Sequence, residues 1–396
     1  GKGSYKLLCY NHTMIVKHDT DPLQVVLVHQ PGKEIEQLMP GNLTRLLFDD
    51  VPFLDQAIQE HQTMTDYLIR QHVQVHDITE LAIEVIQDDR LKDELINIII
   101  HDLKQQSQSV VERVRKKLKT SSLESIVNTY VGGLTYMELD LDNKKTLFIL
   151  DPLPNLLFQR DPMFMIHDIC VISHMNMEAR RREAMLSKFI IKHHPLFMHQ
   201  RMIDMSDQNH SIEGGDIILL DDYILIGISE RTTKEAAIEL IKRLKAFDLS
   251  YQTILIELPN HRSYMHLDTV ITPIKKDVFV YDKHAFENSL LYQLVNDEMV
   301  IIHTSFEVLM KQQFGDISFI EVGDGDQIYA KREQWNDAAN TLAIAPNHII
   351  CYDRNVITNE LFKSHGVTYF SMPSSELSRG RGGPHCMTMP LYRKSL

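Results

Sequence analysis

The run Gly380-Arg381-Gly382-Gly383-Pro384-His385-Cys386 puts a thiol, a guanidinium and an imidazole into one glycine-rich turn near the end of a 396-residue sequence. A free thiol titrates near pH 8.5, so only a few per cent is thiolate at neutrality, and a flanking Arg381 and turn N–H groups favour that form. Two further patches, Glu213-Gly214-Gly215-Asp216 and His266-Leu267-Asp268, extend the set. An imidazole such as His266 moves protons near pH 6.5. Asp161, Glu213, Asp216 and Asp268 can grip a planar cation through two-pronged hydrogen bonds. Carboxylates oppose a neighbouring thiolate unless a cationic ligand neutralises them. The chemistry that suits these groups is attack of sulfur on the central carbon of a bound planar cation.

Each group also has a plainer reading. Cys386 can be a small turn residue, and His266 one of twenty histidines, on the surface or ligating a metal. The Glu213–Asp216 patch reads as a turn between strands with solvated acids. Phe158-Gln159-Arg160-Asp161-Pro162 reads as a strand end broken by proline, with Arg160 and Asp161 a surface pair worth under about 1 kcal/mol. His193-His194 reads as a solvated pair. Arg379-Gly380-Arg381-Gly382-Gly383 lacks the lysine and spacing of a phosphate loop.

The elements that must carry these residues follow from periodicity. Short apolar runs of strand length recur at 25–28, 146–149, 217–220, 223–226, 278–280, 300–302 and 348–352. Helical spacing lies between them, as in Lys234 to Lys245 with Ala237, Ile238, Leu240, Ile241 and Leu244. The alternation predicts an α/β architecture. Residues 79–139 are different: helical periods throughout, no proline, and no motif, which predicts a helical insertion into a domain formed by 1–78 and 140–396. Asp161 to Glu213 is 52 residues and Glu213 to His266 is 53, steps that suit repeated units each donating a residue to one centre.

Composition narrows the function. With 41 Lys and Arg against 54 Asp and Glu, the net charge of −13 excludes nucleic acid or an anionic membrane as the main partner and suits a cationic small molecule. No apolar run approaches the roughly 18 residues that span a bilayer. Four scattered cysteines, Cys9, Cys170, Cys351 and Cys386, form neither a CxxC zinc site nor a disulfide framework, so a reducing, cytoplasmic setting is expected.

Taken together, the motifs resemble the arginine deiminases of the guanidine-modifying superfamily. The resemblance runs through Val26-Leu27-Val28-His29-Gln30-Pro31-Gly32, Met39-Pro40 to Asp50, Pro154-Asn155-Leu156 to Pro162, His174 to Glu183 and Ile212 to Asp216. It continues through Gly227 to Thr232, Met265 to Val270, Arg332 to Asp337 and the Cys386 turn, and so covers nearly the whole chain from about Val25. It departs at Gln159, where the family commonly has Thr, and at Ala338-Ala339, where Gly-Ser is usual. The resemblance implies a five-bladed, pseudo-symmetric α/β-propeller (pentein) with an inserted helical domain. It implies hydrolysis of L-arginine to L-citrulline and ammonia without metal or organic cofactor, by a homo-oligomer, dimer or tetramer. Cys386 matches the nucleophile and His266 the acid/base. Asp161, Asp268 and Glu213 match the guanidinium-holding acids. Arg180 and Arg231, with Asn155, match the receptors of the substrate carboxylate. Arg381 matches a mobile loop arginine, and Asp216 orients substrate or the Glu213 turn. Alternatives are a hydrolase of agmatine or methylated arginine, an amidinotransferase, or an arginine-binding paralogue with impaired turnover.

Overall fold

The computed structural model describes residues 13–142, 146–261 and 263–396; Cys9 lies outside them. The structure is mixed α/β. Among the described residues one three-stranded motif occurs five times: an antiparallel hairpin whose second strand pairs in parallel with a third. Its first copy is Met163–Ile166, Ile169–Ile172 and Arg201–Asp204, with helix Arg181–His193 before the third strand. The second is Ile217–Leu220, Tyr223–Ile228 and Gln252–Glu257, with helix Lys234–Ala246. The third is Ile271–Lys275, Val278–Tyr281 and Ser318–Glu321, and the fourth is Leu342–Ala345, His348–Tyr352 and Thr368–Met372. The fifth joins distant parts of the sequence: Met389–Arg393 pairs antiparallel with Leu23–Val28, which runs parallel to Gln74–Asp77. A hairpin, Leu290–Val295 and Glu298–Ile302, extends the second sheet to five strands.

The sequence explains these elements. Ile217–Leu220 and Val278–Tyr281 are buried at every position, as strands covered on both faces require. Helix Lys234–Ala246 starts where the Thr233 side chain accepts from the Ala236 N–H, and it buries Ala236, Ala237, Leu240, Ile241 and Leu244 on one face. The 146–149 run forms its strand slightly later, at Phe148–Leu150.

The helical segment folds as helices Ile78–Val85, Asp89–Asp102, Gln108–Thr120 and Leu123–Gly132. Asp77, Asp88 and Ser122 cap three of them through side-chain oxygens. Gly133 takes φ +74, which ends the last helix, and the chain beyond pairs Leu134–Thr135 with Phe148–Leu150. The last α-helix ends at Gly132, and a 3₁₀ turn follows at Met137–Leu139. Leu81, Leu95, Val114 and Tyr130 lie in the same apolar cluster as Met163–Ile172. No helix among the described residues is long and apolar enough to cross a membrane.

Candidate active site

Each of the five repeated motifs is entered by a turn, and the site is made from those turns. Asp161 precedes the strand from Met163, Glu213 and Asp216 the strand from Ile217, and His266 and Asp268 the strand from Ile271. Asn340 precedes the strand from Leu342, and Cys386 the strand from Met389. Short 3₁₀ turns, Gly214–Asp216 and Leu267–Thr269, aim the acids inward. Gly215 is required by close approach: a Cβ there would lie 2.7 Å from Asp161 Oδ1 and 2.8 Å from His266 Cγ. At Gly382 a Cβ would meet the Phe158 ring at 2.4 Å. All ten residues singled out from the sequence are buried.

The structure corrects the plainer expectations. Asp161 and Arg160 are not a surface pair, and the acids of Glu213–Asp216 are not solvated. Burying a charge costs several kcal/mol unless partners compensate, so a cluster of buried acids must have a reason. His194 is buried with Nε2 2.9 Å from Glu84, and His193 faces Glu94 at 3.2 Å, so neither is simply solvated.

Cys386 Sγ lies 3.4 Å from Asp268 Oδ2 and receives the Asn340 Nδ2 donor at 3.1 Å. Asn340 Oδ1 accepts the Cys386 N–H at 3.0 Å, so this amide clamps Cys386 at backbone and sulfur. Burial, then Asp268, Asp161 and Asp337, pushes the Cys386 thiol well above its ordinary range. Burial likewise pushes Asp268 up to about 7 against the pull of His266. His385 Nδ1 stands 2.8 Å from the same Asp268 Oδ2.

His266 faces the acids. Its Nε2 is 2.7 Å from Glu213 Oε2 and its Nδ1 is 3.8 Å from Asp161 Oδ1. Burial pulls the imidazole down, but Asp161, the Glu213 hydrogen bond and Asp216 outweigh it and raise the group to about 9. Glu213 is held down to about 2: burial is overcome by Arg231, His266 and Arg180. Two carboxylate oxygens, Asp161 Oδ1 and Asp268 Oδ1, are buried without a hydrogen-bond partner among the described residues.

The remaining residues behave differently from one another. Asp216 Oδ1 accepts the Leu267 N–H at 2.9 Å and Oδ2 the Ser229 hydroxyl at 2.7 Å, so it ties the Glu213 turn to the His266 turn. Arg231 Nη1 is 3.6 Å from Glu213 Oε2. Arg180 is fully engaged: Nη1 donates to Asp161 at 2.7 Å, Nε and Nη2 to Glu183, and Nη2 to the Asn155 and Phe158 carbonyls. Asn155 Nδ2 donates to the Leu46 carbonyl at 2.6 Å. Arg381, with φ +63, stacks 3.4 Å above the Trp335 ring and is 3.8 Å from Asp49.

Asp161, Glu213 and His266 offer atoms within 4.8 Å of one another, a spacing that could hold a metal ion. The guanidiniums of Arg180 and Arg231 already face those carboxylates, and the imidazole is held protonated. A divalent cation would meet three resident positive groups there, whereas a planar monocation needs only the orphaned oxygens.

The profile of the arginine deiminase family matches residues 44–393. The chain belongs to the arginine deiminase family. Among its curated relatives, the arginine deiminase of Oenococcus oeni is 36% identical over 404 residues, an alignment spanning 96% of this chain and 97% of the relative. That of Limosilactobacillus fermentum is 38% identical over 403 residues, spanning 96% and 98%. Solved structures share the fold at low identity. An amidinotransferase of saxitoxin biosynthesis from Microseira wollei superposes with a TM-score of 0.61 at 12% identity, over 97% of this chain and 98% of that one. DDAH from Pseudomonas aeruginosa, a mutant complexed with citrulline, gives 0.54 at 16% identity, over 93% and 99%. Two residues of this arginine deiminase family member went unmarked in the sequence: Asn340 and Glu183. Asn340 has a signal, since it fills in the fourth repeat the place that Asp161, Asp268 and Cys386 fill in others.

Proposed function

We propose that the chain hydrolyses L-arginine to L-citrulline and ammonia through a covalent amidino adduct on Cys386. The observation that carries this is the pair of buried, unpartnered oxygens, Asp161 Oδ1 and Asp268 Oδ1, in a buried cluster that also holds a thiol. A substrate guanidinium offers donors in a plane, satisfies both oxygens, and supplies the positive charge that lets the thiol ionise. Its arrival displaces the Arg180 guanidinium from Asp161, and Arg180 with Arg231 and Asn155 then receives the substrate carboxylate.

Sulfur attacks the guanidinium carbon and forms the C–S bond, the thiol proton having left to solvent as the substrate cation entered. His266, held protonated by Glu213, protonates the leaving nitrogen, and the C–N bond breaks to release ammonia. His266 then takes a proton from water, whose oxygen attacks the planar amidino carbon. Collapse breaks the C–S bond, returns the electron pair to sulfur and gives citrulline. Positioning and charge complementarity carry the acceleration.

The same reading takes the five repeated sheets as blades of a pentein propeller around this centre, with residues 79–139 as a helical insertion. It takes the assembly as a cytoplasmic dimer or tetramer, on the strength of the family. Hydrolysis of agmatine is disfavoured by Arg180 and Arg231, since agmatine has no carboxylate for them. The test is citrulline release from arginine, with agmatine and methylated arginines assayed beside it. Cys386→Ala should bind arginine and release nothing, and full turnover by that variant sinks the mechanism.

A further inference from the structure

Arg160 has no part in the deimination steps, yet it is built into the same centre, and its proposed role rests on the deiminase reading. It is 5% exposed. Its backbone N–H donates to the Cys386 carbonyl at 3.1 Å, and its Nε donates to the His385 carbonyl at 3.2 Å. The two carbonyls nearest the nucleophile therefore end on one residue. Nη2 is buried without a hydrogen-bond partner among the described residues, and none of their ion pairs within 4.0 Å involves Arg160. Buried arginines are ordinarily paired, and an unneutralised charge in a low-dielectric interior acts over a longer range. The groups within its field are Asp19 first, then Asp268, Cys386 and Asp161, with His385 beside its own hydrogen bond and Arg393 a like charge.

We infer that Arg160 is a positioning residue that acts as the fixed counter-charge of Cys386, holding the 385–386 backbone and stabilising the sulfur anion when no substrate cation is present. The need arises at one step. Attack on arginine begins with a cation in the pocket, but collapse of the final adduct yields neutral citrulline. There the C–S bond breaks, the electron pair goes to sulfur, and the hydroxyl proton passes to the Asp268 carboxylate, because His266 already holds the proton it took from water. The thiolate returns among Asp268, Asp161 and Asp337 with the substrate's charge gone. Arg180, Arg231 and His266 face the carboxylates, whereas Arg160 is the resident cation tied to the Cys386 and His385 carbonyls. Mutual influence agrees with the contacts: burial lowers Arg160, Asp19 and then Asp268 and Cys386 act to raise it, and Arg160 acts to lower Asp268.

The experiment pairs two readouts on the full chain: the pH dependence of Cys386 alkylation by iodoacetamide, located by peptide mass spectrometry, and the fraction of covalent adduct in acid-quenched turnover with arginine. Arg160→Met should lower alkylation at pH 7 about tenfold, the effect of one pKa unit on a thiolate fraction. It should also lower kcat with KM little changed and let adduct accumulate, because collapse slows more than attack. Arg160→Gln keeps a donor for His385 without the charge and should share that profile, which covers the case of an unfolded Met variant. Arg160→Lys should retain most of the original profile. Alkylation curves unchanged in the neutral variants, or shifted as far by Arg160→Lys, overturn the inference. No citrulline from the unaltered chain would sink the deiminase reading instead.

Discussion

Cys386 Sγ and Asp268 Oδ2 stand 3.4 Å apart, two acids in one water-excluded contact. Burial, then Asp268, Asp161 and Asp337, holds the thiol well above its ordinary range, and burial raises the carboxyl to about 7 even though the thiol's hydrogen bond favours its ionised form. Asp268→Asn removes the nearest negative charge. Iodoacetamide should then alkylate Cys386 faster at pH 7, by about tenfold or more for a shift of one unit or greater. Turnover should nonetheless collapse, because the guanidinium has lost one of its two orphaned acceptors. Alkylation that is unchanged or slower would contradict the electrostatic account of this pair.

The His266–Glu213 contact at 2.7 Å gives stability a pH dependence. His266, raised from 6.5 to about 9, stabilises fully below pH 6.5, and that contribution fades as pH climbs through 9. Asp216 and Asp268, raised from 3.8 to about 6 and about 7, act in the same direction, because the folded state keeps protons that the unfolded chain has released. Glu213, held near 2 against an ordinary 4.5, stabilises above 4.5 and loses this only as pH falls through 2. These groups together favour the folded state most at about pH 3.5–4, with Tm declining toward pH 9. In calorimetric scans, Glu213→Gln should show a shallower alkaline decline than the unaltered chain. A parallel decline would mean that this pair does not control it.

Much of the fold was legible from residue type. Ile217–Leu220, Tyr223–Ile228 and Val278–Tyr281 are apolar runs buried on both faces, so their strand character is local. The third strands, such as Arg201–Asp204 and Ser318–Glu321, mix polar and apolar positions and are half-buried, which left them without a strong pattern. The reactive residues were legible one by one, but their convergence was not, because it depends on five turns brought together by nonlocal pairing. Arg160 was misjudged for the same reason. A charged residue before Asp-Pro defaults to solvent, and only the Cys386 and His385 carbonyls that it meets across the fold make its burial tolerable. Gln159 and Ala338-Ala339 fit as buried neighbours; Gln159 Nε2 satisfies the Leu156 carbonyl at 2.7 Å.

Asn340 shows how much a single amide carries. It donates to the Asp268 carbonyl at 2.9 Å and to Cys386 Sγ, and accepts from the Cys386 N–H. Asn340→Ala leaves that N–H and a carbonyl unsatisfied in a buried place, at about 1–3 kcal/mol for each group stranded. The chain should melt at a lower temperature, and kcat should fall about a hundredfold, as a displaced nucleophile would produce. Wild-type kcat in a destabilised variant would separate folding from positioning and remove Asn340 from the site.

Arg180 is the residue whose resting and working partners must differ. In this structure its guanidinium occupies Asp161 at 2.7 Å and grips Glu183, which is where a substrate guanidinium needs the acid to be free. On the proposed mechanism, arginine binding includes an exchange of one guanidinium for another, followed by capture of the substrate carboxylate. Arg180→Gln removes both the competitor and the receptor. Loss of a charge-assisted contact of about 1.5–3 kcal/mol predicts a KM for arginine raised about ten- to a hundredfold. Agmatine never used the receptor and now meets an unoccupied Asp161, so its KM should stay level or fall. The measurement is the ratio of kcat/KM for the two substrates, which should move toward agmatine. A ratio that holds constant while both constants worsen would place Arg180 in the scaffold and leave the amino-acid end of the substrate to Arg231 alone.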